Sequence, residues 1–207
     1  MNYSIAIIGT GQVGGTLARS WAQKGHRIHL GVRNADAFKG KHLLGLQQLS
    51  VHSPAEAVAL ADVILLAVPA TATVDVCLAL GNTTGKIIID SMNVVMGRGP
   101  AGYLTTTEAI LAHTQSRDVV KCFNTTGFNN MENPDYGGQQ LDMFVAGDSP
   151  QAVAVAQQLA LDAGFGACYC IGGNDKFQLM EQFAWFWINL AMFQGQGRSI
   201  GFKLLKR

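Results

Sequence analysis

The chain has 207 residues, fifteen basic and fourteen acidic side chains for a formal net charge of +1, and 48% hydrophobic residues. A balance this near neutrality gives no electrostatic reason for a nucleic acid or an anionic membrane as partner, and the length suffices for one substantial core. The four cysteines, Cys77, Cys122, Cys168 and Cys170, form no C-x-x-C pair and three lie in apolar runs that read as core. The expectation is reduced thiols in a cytoplasmic protein, with no metal site.

The opening MNYSIAIIGT has no basic segment followed by a long apolar stretch, so it reads as a first strand, Ile5 to Ile8, rather than a signal peptide. Further strand candidates are Ile28–Leu30, Leu49–Val51, Val63–Val68, Ile87–Ile89 and Val119–Phe123. Several are continuously apolar, as expected of strands covered on both faces of a parallel sheet. Helical patterns fall between them: Val13, Leu17 and Trp21 at i, i+4 and i+8, then Pro54–Leu60, Thr71–Leu80 and Thr105–His113. This alternation predicts a doubly wound, mostly parallel α/β fold. Thr125–Gln140, rich in Asn, Gly and Thr, reads as irregular. A strand at Met143–Ala146 follows, then a helix capped by Ser149 with Pro150 at its first position and ended by Gly164, a strand at Ala167–Ile171, and a last helix over 175–193. With no repeat or linker, residues 1–207 are expected to form one domain, 1–124 as its nucleotide-binding core and 125–207 extending the same sheet. The final apolar segment is broken by Gln178, Glu181, Gln182 and Asn189, which argues against a membrane span.

Gly9-Thr10-Gly11-Gln12-Val13-Gly14 satisfies G-x-G-x-x-G directly after a strand and at the opening of a helix. In that context the glycines serve a tight turn, close approach of backbone N–H groups to a pyrophosphate, and helix–strand packing. The second strand then selects the dinucleotide. NAD sites usually place an Asp or Glu at its end, whereas this one ends in Gly31-Val32-Arg33-Asn34, with no carboxylate before Asp36. A guanidinium holds a phosphate dianion through paired charge-assisted bonds, so Arg33 points to NADP(H). Asn34 and Thr10 can add neutral hydrogen bonds, and Lys39 or Lys41 a further charge.

Val68-Pro69, Asp90-Ser91-Met92-Asn93, Lys121-Cys122-Phe123-Asn124-Thr125 and Val145-Ala146-Gly147-Asp148 form an ordered set with "GHRIHLGVRN" and the closing "GFKLL". The set resembles the NADPH-dependent coenzyme F420 oxidoreductase family, NADP oxidoreductases called coenzyme F420-dependent, and is similar to the cytosolic domain of transmembrane ferric reductases. The resemblance implies a Rossmann-type fold, NADP(H) in the glycine-rich cleft, and hydride exchange with a flavin-like or deazaflavin ring such as coenzyme F420. It puts Thr10, Gly11, Gln12 and Val13 at the pyrophosphate, Arg33 and Asn34 at the 2′-phosphate, and Val68, Pro69, Asn93 and Val94 along the cofactor. The family commonly has Ser-Arg where this chain has Val32-Arg33, and a His where it has Asn124.

Carbonyl reduction needs a proton donor beside the acceptor, and the chain shows no obvious one. His26, His29, His42, His52 and His113 read as structural or solvated. A ring acceptor delocalises the arriving charge itself, so positioning can suffice. Lys121 is the one candidate donor, although pairing with Asp90 would make it structural. Phe123, Asn124 and Thr125 are expected to line the substrate side, with Asn124 a second catalytic candidate. The last helix carries two apolar seams, Phe177, Met180, Ala184, Trp187, Ala191 and Leu179, Phe183, Phe186, Leu190, Phe193, which predicts a homodimer through it. Two further functions stay open here: reduction of a small carbonyl or imine with Lys121 as donor, and NADPH sensing without turnover.

Overall fold

The strand signals become eight β-strands among residues 2–207, the residues that the computed structural model describes. They are β1 (Ser4–Ile8), β2 (Arg27–Gly31), β3 (Leu49–His52), β4 (Val63–Leu66), β5 (Ile87–Asp90), β6 (Asp118–Cys122), β7 (Asp142–Ala146) and β8 (Ala167–Cys170). The helices are α1 (Gln12–Gln23), α2 (Pro54–Leu60), α3 (Thr73–Ala79), α4 (Thr106–His113), α5 (Phe128–Glu132), α6 (Pro150–Asp162) and α7 (Phe177–Ile188). The strands form one sheet in the order β3-β2-β1-β4-β5-β6-β7-β8, parallel throughout except between β6 and β7. The strand order reverses between β1 and β4, and such a switch point opens a crevice at the carboxyl edge of the sheet.

Alternation along the strands explains why they are apolar throughout. Ile5, Ile7, Val63, Leu65, Ile87 and Ile89 turn to one face, against Leu17, Ala18 and Trp21 of α1 and Ala152, Ala156 and Leu159 of α6. Ala6, Ile8, Ile64, Leu66 and Ile88 turn to the other, against Ala57 and Val58 of α2, Cys77 of α3 and Ile110 of α4. The Trp21 indole N–H donates to the Leu159 carbonyl at 2.9 Å, tying α1 to α6 inside the first of these layers. Helix starts follow the local signals. Ser53 and Glu56 cap α2 reciprocally with Pro54 at its first position, Thr105 and Glu108 do the same for α4, and the Ser149 hydroxyl caps α6.

Two segments differ from expectation. Residues 125–140 hold a short helix, α5, whose Met131 is buried in the α1 layer. The last helix is not continuous over 175–193: a 3₁₀ turn at Asn174–Lys176 leads into α7, and a π turn at Asn189–Phe193 closes it. The Gln194 N–H reaches back to the Asn189 carbonyl, and Gly195 and Gly197 follow with left-handed backbone that ends the helix. The cysteines also divide differently. Cys77 and Cys122 are buried, but Cys168 is half-buried and Cys170 exposed, because β8 is the edge of the sheet. No helix among the described residues is long and apolar enough to cross a membrane.

Candidate dinucleotide and acceptor site

The three motif glycines are required for different reasons. Gly9 sits at φ +104°, and a Cβ there would stand 2.3 Å from the Ala67 carbonyl oxygen; one at Gly14 would stand 1.9 Å from the Gly9 carbonyl oxygen. A Cβ at Gly11 would meet no protein atom within 4 Å. Gly11 is the N-cap of α1 without a side-chain cap, and the first intrahelical bond runs from the Gly15 N–H to its carbonyl at 2.8 Å. The N–H groups of Gln12, Val13 and Gly14 precede that bond, at the positive end of the helix dipole. Gln12 borders a hollow of about 320 Å³ also lined by Thr10, Gly11 and Thr16, with Arg19, Lys39 and His42 as its basic side chains.

Arg33 and Asn34 follow β2 and are exposed, while Val32 is buried in the core. Among the described residues no carboxylate lies within ion-pair distance of Arg33. The Asn34 side-chain Oδ1 accepts from the Asp36 N–H at 2.9 Å, so part of its capacity is spent on shaping its own turn. Lys39 and His42 belong to a 3₁₀ segment, Lys39–Leu43, pinned by buried Leu43 and by Gly40, where a Cβ would come within 2.9 Å of the Thr10 side chain. His42, which the sequence offered only as a structural or solvated histidine, therefore borders the glycine turn.

A second hollow, of about 370 Å³, opens at the carboxyl ends of β4 and β5 and is lined by Pro69, Ala70, Thr71, Asn93, Val95, Met96 and Arg98. Val68, Asn93 and Val94 are half-buried and Pro69 exposed beside it.

A fully buried charge network lies beneath. The Lys121 ammonium is 2.9 Å from Asp90 Oδ2 and 3.0 Å from Glu181 Oε1, and donates to the Met92 carbonyl at 2.9 Å. Asp90 accepts from the hydroxyls of Thr106 and Thr107 at 2.6 Å each and from the Met92 N–H at 2.9 Å. Glu181 accepts from the Val94 N–H at 2.9 Å and the Thr106 N–H at 3.2 Å. Every charged atom has partners, which is the condition for ions to be held out of water. The network shapes the 90–94 segment and ties it to α7. Burial, and secondarily the negative charge of Asp90, pushes the neighbouring Cys77 thiol up to about 12.

These contacts correct several expectations. Lys121 has no exposed surface and is enclosed by two carboxylates, so it does not reach an acceptor as a proton donor. Phe123 does not line a substrate surface: its ring is wholly buried, edge to face with Trp21 at 5.5 Å between centroids, and its φ is +60°. The Thr125 hydroxyl is likewise buried, turned to the Met143 sulfur at 3.7 Å. Glu181, read in the sequence only as an interruption of the final apolar segment, joins the network; a lone carboxylate beside Met180 and Ala184 of the buried seam was the available signal. Asn124 stays with the site. Its Nδ2 donates to Asn93 Oδ1 at 2.9 Å and to the Met180 carbonyl at 3.1 Å, while its own backbone carbonyl accepts from Asn93 Nδ2 at 2.9 Å. That arrangement fixes the amide orientation and leaves Asn124 Oδ1 buried without a partner.

A doubly wound sheet with a glycine turn at its switch point defines the fold as Rossmann-type. Residues 4–94 match the model of the family described as NADP oxidoreductase coenzyme F420-dependent. A comparison with curated proteins gave no significant match. Among solved structures, the chain is similar to a protein designated an F420-dependent NADP reductase from Arthrobacter sp. FB24 (24% identity, TM-score 0.83, 99% of this chain and 100% of that one). It is also similar to a hypothetical protein from Sinorhizobium meliloti (23%, TM-score 0.72, 100% and 97%). A reductive aminase from Aspergillus terreus, solved with NADPH and ethyl levulinate, aligns at 17% identity and TM-score 0.67 over 94% of this chain but 63% of its own.

Proposed function

We propose that the protein takes hydride from NADPH, its cofactor, and passes it to a flavin-like or deazaflavin ring of the coenzyme F420 type. The observation that carries the reading is Arg33, an unpaired guanidinium where a carboxylate would mark an NAD site. The residues fit the group. The open side of Gly11 and the free N–H groups of Gln12 and Val13 receive the pyrophosphate, with Thr10 beside them. Arg33, Asn34 and Lys39 hold the 2′-phosphate. Val68, Pro69, Asn93 and Val94 run along the cofactor toward its nicotinamide end, where the orphaned Asn124 Oδ1 suits the amide N–H of a carboxamide.

NADPH supplies the hydride, and the chain supplies position. Asn93 and Asn124 brace each other, Glu181 holds the Val94 N–H, and the apolar side chains of Val68 and Val95 limit water at the carboxyl edge. A delocalised ring needs no dedicated acid, in keeping with the enclosure of Lys121. Reduction of a small carbonyl or imine is favoured less, since its one candidate donor lies inside the network. The protein acts in the cytoplasm as a homodimer through α7: Leu179, Phe186 and Phe193 of the second seam are about half exposed, whereas Phe177, Met180 and Ala184 of the first are buried.

Steady NADPH oxidation, followed with a flavin and with a deazaflavin as acceptor, tests this function. Turnover with either supports it; tight NADPH binding without oxidation by any ring acceptor would overturn it in favour of a sensing module.

A further inference from the structure

The hollow at the ends of β4 and β5 has one charged side chain in its lining, Arg98. Arg98 is exposed, and among the described residues it makes no ion pair and no side-chain hydrogen bond. It stands at the end of a tight hairpin in which Val95 and Arg98 pair antiparallel across Met96 and Gly97. Both turn residues are left-handed, Met96 at φ +54° and Gly97 at φ +71°. For methionine that backbone is unfavourable, and such residues persist where the surroundings hold them.

The base of this hairpin is held by buried charge. The Val94 N–H is bound by the Glu181 carboxylate, which Lys121 fixes at 3.0 Å. On the other side Gly99 lies so close to Val94 that a Cβ would fall 2.7 Å from its side chain. A surface hairpin needs no such base for its own sake. Here the β5 end, the α4 start and α7 converge on it, and the group it presents to the hollow is a cation next to Asn93 and Pro69.

We propose that Arg98 binds an anionic group, a carboxylate or a phosphate, carried by the hydride acceptor, so that the protein selects acidic ring acceptors over neutral ones. The inference rests on the acceptor reading given above. The apolar lining from Pro69, Ala70, Val95 and Met96 receives the body of the acceptor, and the guanidinium receives its acidic arm in paired hydrogen bonds.

NADPH oxidation is measured with three flavins sharing one ring: riboflavin, which is neutral; FMN, which bears a phosphate; and a flavin with a carboxymethyl group on N10. The intact protein is expected to favour one acidic flavin over riboflavin by about tenfold or more in KM, and the better of the two identifies the anion. In Arg98→Ala that preference collapses, Arg98→Lys restores part of it, and the Kd for NADPH holds. A preference that survives Arg98→Ala, or its absence in the intact protein, would overturn the proposal. An equal rise in the Kd for NADPH would also overturn it, by assigning Arg98 to the cofactor. If no flavin is reduced, the hydride-transfer reading fails, and fluorescence titration of FMN into the NADP⁺-loaded protein tests Arg98 directly. Weaker FMN binding in Arg98→Ala than in the intact protein supports the anion site, and equal binding overturns it.

Discussion

The Lys121 ammonium on β6 lies 3.0 Å from the Glu181 carboxylate on α7, and both side chains are buried. The same ammonium is 2.9 Å from Asp90 on β5, so one cation faces two carboxylates, the three groups coming from three elements. Replacing it with an apolar side chain of similar length leaves both carboxylates buried and uncompensated. Lys121→Met is expected to destabilise the protein by about 3–5 kcal/mol in urea unfolding. An unchanged unfolding midpoint with a lost reaction rate would instead restore Lys121 as a proton donor.

The glycine turn separates folding from binding. In Gly14→Ala the new methyl group overlaps the Gly9 carbonyl, and an overpacking loss of about 1–3 kcal/mol is expected in the unfolding free energy. In Gly11→Ala the methyl group meets no protein atom, so stability should hold within about 1 kcal/mol while NADPH binding is lost. Thermal unfolding and nucleotide titration of the two variants distinguish these effects.

Stability should also depend on pH through His29. Its ring is wedged between the hydroxyls of Ser4 and Ser50 at 2.9 Å each. Burial first, then the nearby charges of His52 and Arg27, lower its pKa from the usual 6.5. The unfolded chain therefore binds the proton more readily than the folded one. This contribution is intact above 6.5 and is lost as pH falls from there through the lower folded value. Urea midpoints are expected to drop across that interval, and His29→Asn to flatten the slope.

Thiol reactivity provides a check on the edge strand. Cys170 is exposed on β8, whereas burial holds the Cys77 and Cys122 thiols well above their ordinary range. A thiol reagent should modify the folded protein first at Cys170, Cys170→Ser should remove the fast phase, and all four cysteines should react in denaturant.

Elements whose signals are local were legible in the sequence. Pro54–Leu60 forms a helix over those same residues because Ser53, Pro54 and Glu56 write its start. The continuous runs Val63–Leu66 and Ile87–Ile89 become central strands because both of their faces are covered. What was not legible depends on distant pairing. Phe123 lies one residue beyond β6, where a left-handed backbone turns its ring to Trp21, which strand alternation alone does not reveal. Glu181 read only as a break in an apolar segment, and its partners Val94 and Lys121 are distant in the chain. The place of Arg33, exposed just past β2, was legible because the strand itself was evident in the sequence.

The central claim is that Arg33 makes this an NADPH site. Titration of NADPH and NADH into the intact protein and into Arg33→Ala tests it most directly. The intact protein should bind NADPH more tightly than NADH, and the variant should lose about 10- to 100-fold for NADPH with little change for NADH. Equal affinities in the intact protein, or an equal loss for both cofactors in Arg33→Ala, would contradict it.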